Sequence, residues 1–174
     1  DHTIRESAIV GFARDGGAEG RRLVRPLLIE MVDDTSAQVR IRLCQLIAEI
    51  GRDDEEGLLE ILLGAPEAEV RNAAIESVGS IGMTALVPKL LRLAAKEEHR
   101  DIVIEALAQM PEEAVDAISA FAEGHELDEE LRSRMFHVLA ELGGKAAELA
   151  LWRFFRSATE LSSRVSAGKA LHRL

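Results

Sequence analysis

The sequence predicts an all-α protein built as a solenoid of about five and a half helix pairs, and three observations carry that prediction. The stretch Glu69-Val70-Arg71-Asn72-Ala73-Ala74-Ile75-Glu76-Ser77-Val78-Gly79-Ser80-Ile81-Gly82 recurs six times when it is laid along the chain. Registered on Arg5, Arg40, Arg71, Arg100, Arg132 and Arg164, the copies stand 35, 31, 29, 32 and 32 residues apart. Self-similarity at such a period is the mark of stacked supersecondary units. The second observation is a set of shared apolar columns. Counted from the residue before each arginine, the fourth position holds Ala8, Leu43, Ala74, Val103, Met135 and Ala167. The eighth holds Phe12, Ile47, Val78, Leu107, Leu139 and Leu171. The ninth is small, Ala13, Ala48, Gly79, Ala108 and Ala140, except at His172. Offsets of four and eight lie on one stripe of a helix, so each copy reads as an amphipathic helix with its small residues admitting a neighbour. The third observation is composition: 47% hydrophobic but 3% aromatic, with no Tyr, which describes an aliphatic helical core and no sheet.

The elements follow in order. Inner helices are predicted near 3–15, 37–50, 68–81, 99–110, 130–142 and 161–174, and outer helices fill the intervals. Residues 15–20, Asp-Gly-Gly-Ala-Glu-Gly, read as the longest joint. The outer helix over about 21–33 places Pro26 in its early part, as Pro88 is placed in the helix from Thr84 to Lys96, where a missing N–H is tolerated. Asp33-Asp34-Thr35-Ser36 offers a cap to the second inner helix. Asp53-Asp54-Glu55-Glu56 reads as acids in the first turn of a helix, since it lacks the alternating ligands and central Gly of a calcium loop. Pro111-Glu112-Glu113 starts the next outer helix, and Gly124-His125-Glu126-Leu127-Asp128 is a polar loop. In the last outer helix, 145–157, Trp152, Phe154 and Phe155 are expected to pack together locally.

Composition excludes several functions. The net charge of −10, from 21 basic and 31 acidic residues, is wrong for a phosphate-backbone binder and suits a partner with a basic or mixed surface. No run is long and apolar enough to span a bilayer, and no leader pattern opens the chain, so a cytoplasmic location is expected. The single cysteine, Cys44, sits in an apolar helix and is read as a buried thiol in a reducing compartment. The chain opens inside a repeat helix without Met and stops in the last one without a polar cap, so residues 1–174 are expected to be one solenoid domain cut from a longer protein.

An outer helix reading Val-x-Pro-x-Leu-Leu and an inner one reading Glu-Val-Arg-x-Ala-Ala, with Val70 to Gly82 the best match, resemble a HEAT repeat of the short type named after phycobilisome lyases. The resemblance covers nearly the whole chain. It implies a right-handed, armadillo-like superhelix whose inner helices line a concave groove that holds other proteins. Many HEAT units carry an Asp a few residues before the repeat arginine. Here Asp34 stands six before Arg40, but Ala65, Ala94 and Ala158 stand before Arg71, Arg100 and Arg164, so the polar ladder is expected to be partial.

The six arginines lie at one depth in every repeat, which packing between repeats asks for, whereas a binding site would vary along the array. Partner contacts are expected instead at inner-helix positions outside the apolar stripe: Glu49, Asn72, Glu76, Asp101, Glu105, Gln109, His137 and Glu141. No catalytic residue, metal ligand set or cofactor is expected. The His125-Glu126 step occurs once, where HEAT-like di-iron hydroxylases repeat it, and the five histidines show no i, i+4 pair. The chain thus reads as a protein-binding scaffold. The alternative is a bilin lyase or ligand-sensing relative, because the lyase repeats look similar and lack a compact motif.

Overall fold

The computed structural model describes residues 2–51, 55–124 and 127–174, with side chains from residue 6 onward. The side chain of Arg5, the acids Asp53 and Asp54, and the His125-Glu126 step therefore lie outside the described residues. Every regular element among those described is helical. The chain separates into two units, Asp1–Ile81 and Gly82–Leu174.

In the first unit, inner helices α1 (His2–Asp15), α3 (Ala37–Ile50) and α5 (Ala68–Ile81) alternate with outer helices α2 (Gly17–Val32) and α4 (Glu56–Leu62). The predicted stripe drives α3 against α5. Leu43, Cys44, Leu46 and Ile47 of α3, with Val70, Ala74, Ile75 and Val78 of α5, are buried. Buried Ser77 adds a polar tie, its Oγ lying 2.9 Å from the carbonyl of Cys44 and 2.8 Å from that of Ala73. Gly51, with φ +66°, ends α3 in a left-handed turn that favours glycine.

Three expectations in this unit need correction. The Gly-rich stretch is no long joint, because α2 begins at Gly17, whose φ of +59° turns the chain within a residue. A Cβ on Gly16 or Gly20 would stand 2.5 or 2.1 Å from the Phe12 carbonyl oxygen, so these glycines permit a close backbone approach. Pro26 consequently lies in the interior of α2, where it leaves the Arg22 carbonyl without its helical donor. Finally, α1 is turned by one residue relative to the other copies. Ile9 and Ala13 are buried, while Ala8 and Phe12 face outward, Phe12 at 54% exposure. Helix α1 seats itself by its fit to α2 and α3.

The second unit alternates outer helices α6 (Val87–Ala94), α8 (Val115–Ala122) and α10 (Gly144–Ser157) with inner helices α7 (Arg100–Ala108), α9 (Glu129–Leu142) and α11 (Leu161–Leu171). Short 3-10 turns at Thr84–Leu86, Glu97–His99 and Glu112–Ala114 lead into α6, α7 and α8, so α7 is shorter than its apolar register suggests. Pro88 occupies the first turn of α6, as expected. The aromatic group divides: Phe154 goes inward onto Phe136 at 4.8 Å between centroids, and Trp152 stays outside, edge-on to Phe155 at 5.7 Å.

Capping also differs from expectation. Ser36, at the N-cap of α3, makes no side-chain cap, because Asp34 Oδ1 instead accepts the Ser36 N–H at 2.7 Å in a local turn. The effective cap is Asp128, whose Oδ1 accepts the Leu131 N–H at 2.7 Å at the start of α9.

Candidate functional site

The repeat arginines meet the ends of the outer helices. Arg71 donates to the carbonyls of Ala65 and Pro66, each at 2.8 Å. Arg100 reaches the carbonyl of Ala94 at 3.4 Å, and Arg164 that of Ala158 at 2.7 Å. Arg132 donates to Ala122, Gly124 and Leu127 carbonyls at 3.3, 3.0 and 3.4 Å. Ala94 and Ala122 end α6 and α8 and Ala158 caps α10, where helix ends leave unsatisfied acceptors and a partial negative charge, while Ala65, Pro66, Gly124 and Leu127 belong to the loops that follow α4 and α8. The three alanines are the residues that stand where an Asp was sought six places before the arginine. A carbonyl at that place accepts the guanidinium, so the side chain there can be apolar. Two arginines also reach acids of the next inner segment: Arg40 to Glu67 at 2.9 Å and Arg100 to Asp128 at 2.9 Å. Glu67 and Asp128 are both held below the usual carboxylate range. For each, the larger cause is a backbone N–H, of Glu67 itself and of Leu131, with the arginine adding to it.

On the inner face of the first unit, Glu49 and Glu76 are exposed and Asn72 is half-buried. Column reading at the second, sixth and tenth positions finds these residues and misses Arg42, which occupies the third. Arg42 pairs with Glu6 at 3.1 Å and Glu49 at 3.0 Å and donates to Gln45 at 3.1 Å. The Glu6 carboxylate above all raises its pKa. Arg14 donates to the Glu49 carbonyl at 2.7 Å. Glu49 is thus neutralised in place, and Glu76 is the acid of this face for which the described residues supply no ion-pair partner.

The second unit repeats the arrangement. Asp101, Glu105, Gln109, His137 and Glu141 are exposed on α7 and α9 and the turn that ends α7. Arg134, again at the third position, pairs with Asp101 and with Glu130, the latter at 3.0 Å. Asp101 raises the arginine's pKa. Gln109 donates to the Glu105 backbone carbonyl at 3.3 Å, leaving the Glu105 carboxylate without an ion-pair partner among the described residues. Arg173 contacts Nδ1 of His137, whose Nε2 faces Glu141 at 3.1 Å.

Buried side-chain chemistry is sparse. Cys44 has no exposed surface, and burial pushes its thiol up to about 12, so it is a poor nucleophile in the folded protein. No group of three His, Cys, Asp or Glu among the described residues is arranged to hold a metal ion. A cleft of about 470 Å³ lies over Phe136 and Phe154 in the second unit. Its polar groups already serve one another: Ser163 Oγ donates to Glu129 at 2.9 to 3.1 Å, and Glu129 meets Arg132 at 3.5 Å. No described helix is long and apolar enough to cross a membrane.

Inner helices stacked through an aliphatic stripe, with arginines at the ends of the outer helices, define an α-helical repeat protein of the solenoid class. The crystal structure of an engineered protein from the Northeast Structural Genomics Consortium superposes with a TM-score of 0.51 at 19% identity, covering 99% of this chain and 91% of that one, which supports the fold alone. The family model described as HEAT repeats matches residues 24–108, so this span is similar to that family. No curated protein matches the sequence significantly.

Proposed function

We propose that this HEAT-repeat scaffold binds a partner protein of basic or mixed surface on the polar faces of its inner helices, with no chemistry of its own. The observation that supports the reading most is the placement of the unpaired acids. Arg42 and Arg134 neutralise Glu49 and Asp101, while Glu76 on α5 and Glu105 on α7 stay exposed with no ion-pair partner among the described residues. An exposed carboxylate without a partner adds nothing to packing and is free to steer a cation toward the face that bears it. Asn72 and Gln109 supply neutral hydrogen-bonding groups nearby in each face, and the Arg173, His137 and Glu141 chain gives the second unit a mixed-charge margin. The repeat arginines are assigned to holding the stack, since the described ones donate to carbonyls at or just past the outer-helix ends and pair with Glu67, Asp128 and Glu129.

The test immobilises the wild-type protein and the Glu76→Arg/Glu105→Arg variant and compares what each captures from the native lysate by mass spectrometry. Proteins retained by the wild type at low salt and lost from the folded variant support the reading. An unchanged set of captured proteins rejects it.

A further inference from the structure

The outward stripe of α10 carries a feature that neither the core nor the inner-helix faces use. Ala147, Ala150, Leu151 and Phe154 are buried beneath this helix, so helical periodicity turns Lys145, Leu149, Trp152, Arg153 and Arg156 to the opposite side, within an arc of about 100°. Leu149 is 59% exposed and Trp152 42%. This tryptophan is the only one in the chain. Its ring is held in place, with Phe155 at its edge and the Arg156 guanidinium 5.8 Å from its centroid. Arg153 is anchored by Glu123 at 2.8 Å. Leu149, Trp152, Arg153, Arg156 and Ser157 line a shallow cleft of about 520 Å³.

Tryptophan and arginine are the residues enriched in protein-binding hot spots, and here an exposed leucine extends their apolar surface. Three cations gather here although the chain as a whole carries a charge of −10. The stripe from Lys145 to Arg156 is about 16 Å long and one helix face wide, the dimensions of a second helix laid alongside. We infer that this face of α10 docks an acidic amphipathic helix of a partner protein. The helix's apolar side chains sit on Leu149 and Trp152, and its carboxylates meet Lys145 and Arg156. A lipid surface fits less well, because three cations, one of them already paired with Glu123, fall short of the roughly four to eight clustered basic residues that hold an anionic bilayer. The site lies on an outer helix, and it stands or falls independently of the inner-helix reading.

Because Trp152 is the sole tryptophan, its emission reports this face and no other. Titration with a synthetic Leu/Glu amphipathic helix shifts the emission to the blue in a saturable way. The Leu/Lys counterpart, drawn to acids elsewhere on the protein, leaves it unchanged. Lys145→Glu/Arg156→Glu weakens the Leu/Glu response at least about tenfold with an unaltered melting curve. Leu149→Ala, at an exposed position, weakens it without unfolding the protein. A silent Trp152 with the Leu/Glu peptide overturns the proposal. So does an equal response to both peptides, a response to phosphatidylserine vesicles in place of the peptide, or a shift that follows protein concentration alone and so reports a second copy.

Discussion

At the scale of single residues, the repeat arginine and the acids near it do different work. Arg71 is half-buried and gives two hydrogen bonds to carbonyls of the loop that follows the preceding outer helix. Its replacement by alanine is expected to cost about 1–3 kcal/mol of stability, seen as a lower melting temperature, and to leave partner affinity per folded molecule unchanged. A variant that melts like the wild type but binds more weakly would instead make Arg71 a contact residue. Asp128 offers a pH test. Its carboxylate is stabilised in the folded protein by the Leu131 N–H and then by Arg100, so its folded pKa lies below the unfolded value. The stability it contributes is complete above the ordinary carboxylate pKa of about 3.9 and is lost as the pH falls through the lower folded value. Asp128→Asn keeps a capping oxygen and removes that acid-sensitive part, whereas Asp128→Ala loses the cap at every pH, at about 1 kcal/mol. Melting curves of the three proteins between neutral and strongly acid pH distinguish these outcomes.

At the scale of elements, the junction of α1 and α2 shows how backbone proximity overrides pattern. The run of glycines between Asp15 and Arg21 reads naturally as a flexible joint, yet two of them exist so that α2 can lie against the Phe12 carbonyl. Alanine at Gly20 places a methyl group 2.1 Å from that oxygen, and chemical denaturation should show a loss of about 1–3 kcal/mol. Gly11→Ala is the control. A Cβ there meets nothing within 4 Å, so helix propensity alone should add about 0.5–1 kcal/mol. Equal effects at the two positions would contradict the close approach. The same junction explains why α1 departs from the common register, and α1 should exchange its amide hydrogens faster than α5, which is packed along its length on α3.

At the scale of the whole molecule, the period was legible because each unit solves the same packing problem with the same residues. The apolar columns and the punctuation by Gly51, Gly143 and Pro111 mark most inner helices to within a residue or two. Less legible was whatever depends on a neighbouring helix. The pairing of Arg42 with Glu6, and of Arg134 with Asp101, joins residues far apart in the chain, and no single-column reading finds it. The carbonyls that take the place of the expected aspartates are invisible in sequence, since every residue has one. The division of Trp152 from Phe154 likewise follows from which way one helix turns its faces. The account rests on a separation of roles, with arginines and aliphatic stripes building the array and unpaired acids on the inner faces meeting the partner. Its most direct test is the association rate of the captured partner with wild type and with Glu76→Arg/Glu105→Arg across a range of salt. The account predicts association slowed by about tenfold or more in the variant at low ionic strength, with the gap closing as salt screens the charges. Identical rates and identical salt dependence for the two proteins would contradict it.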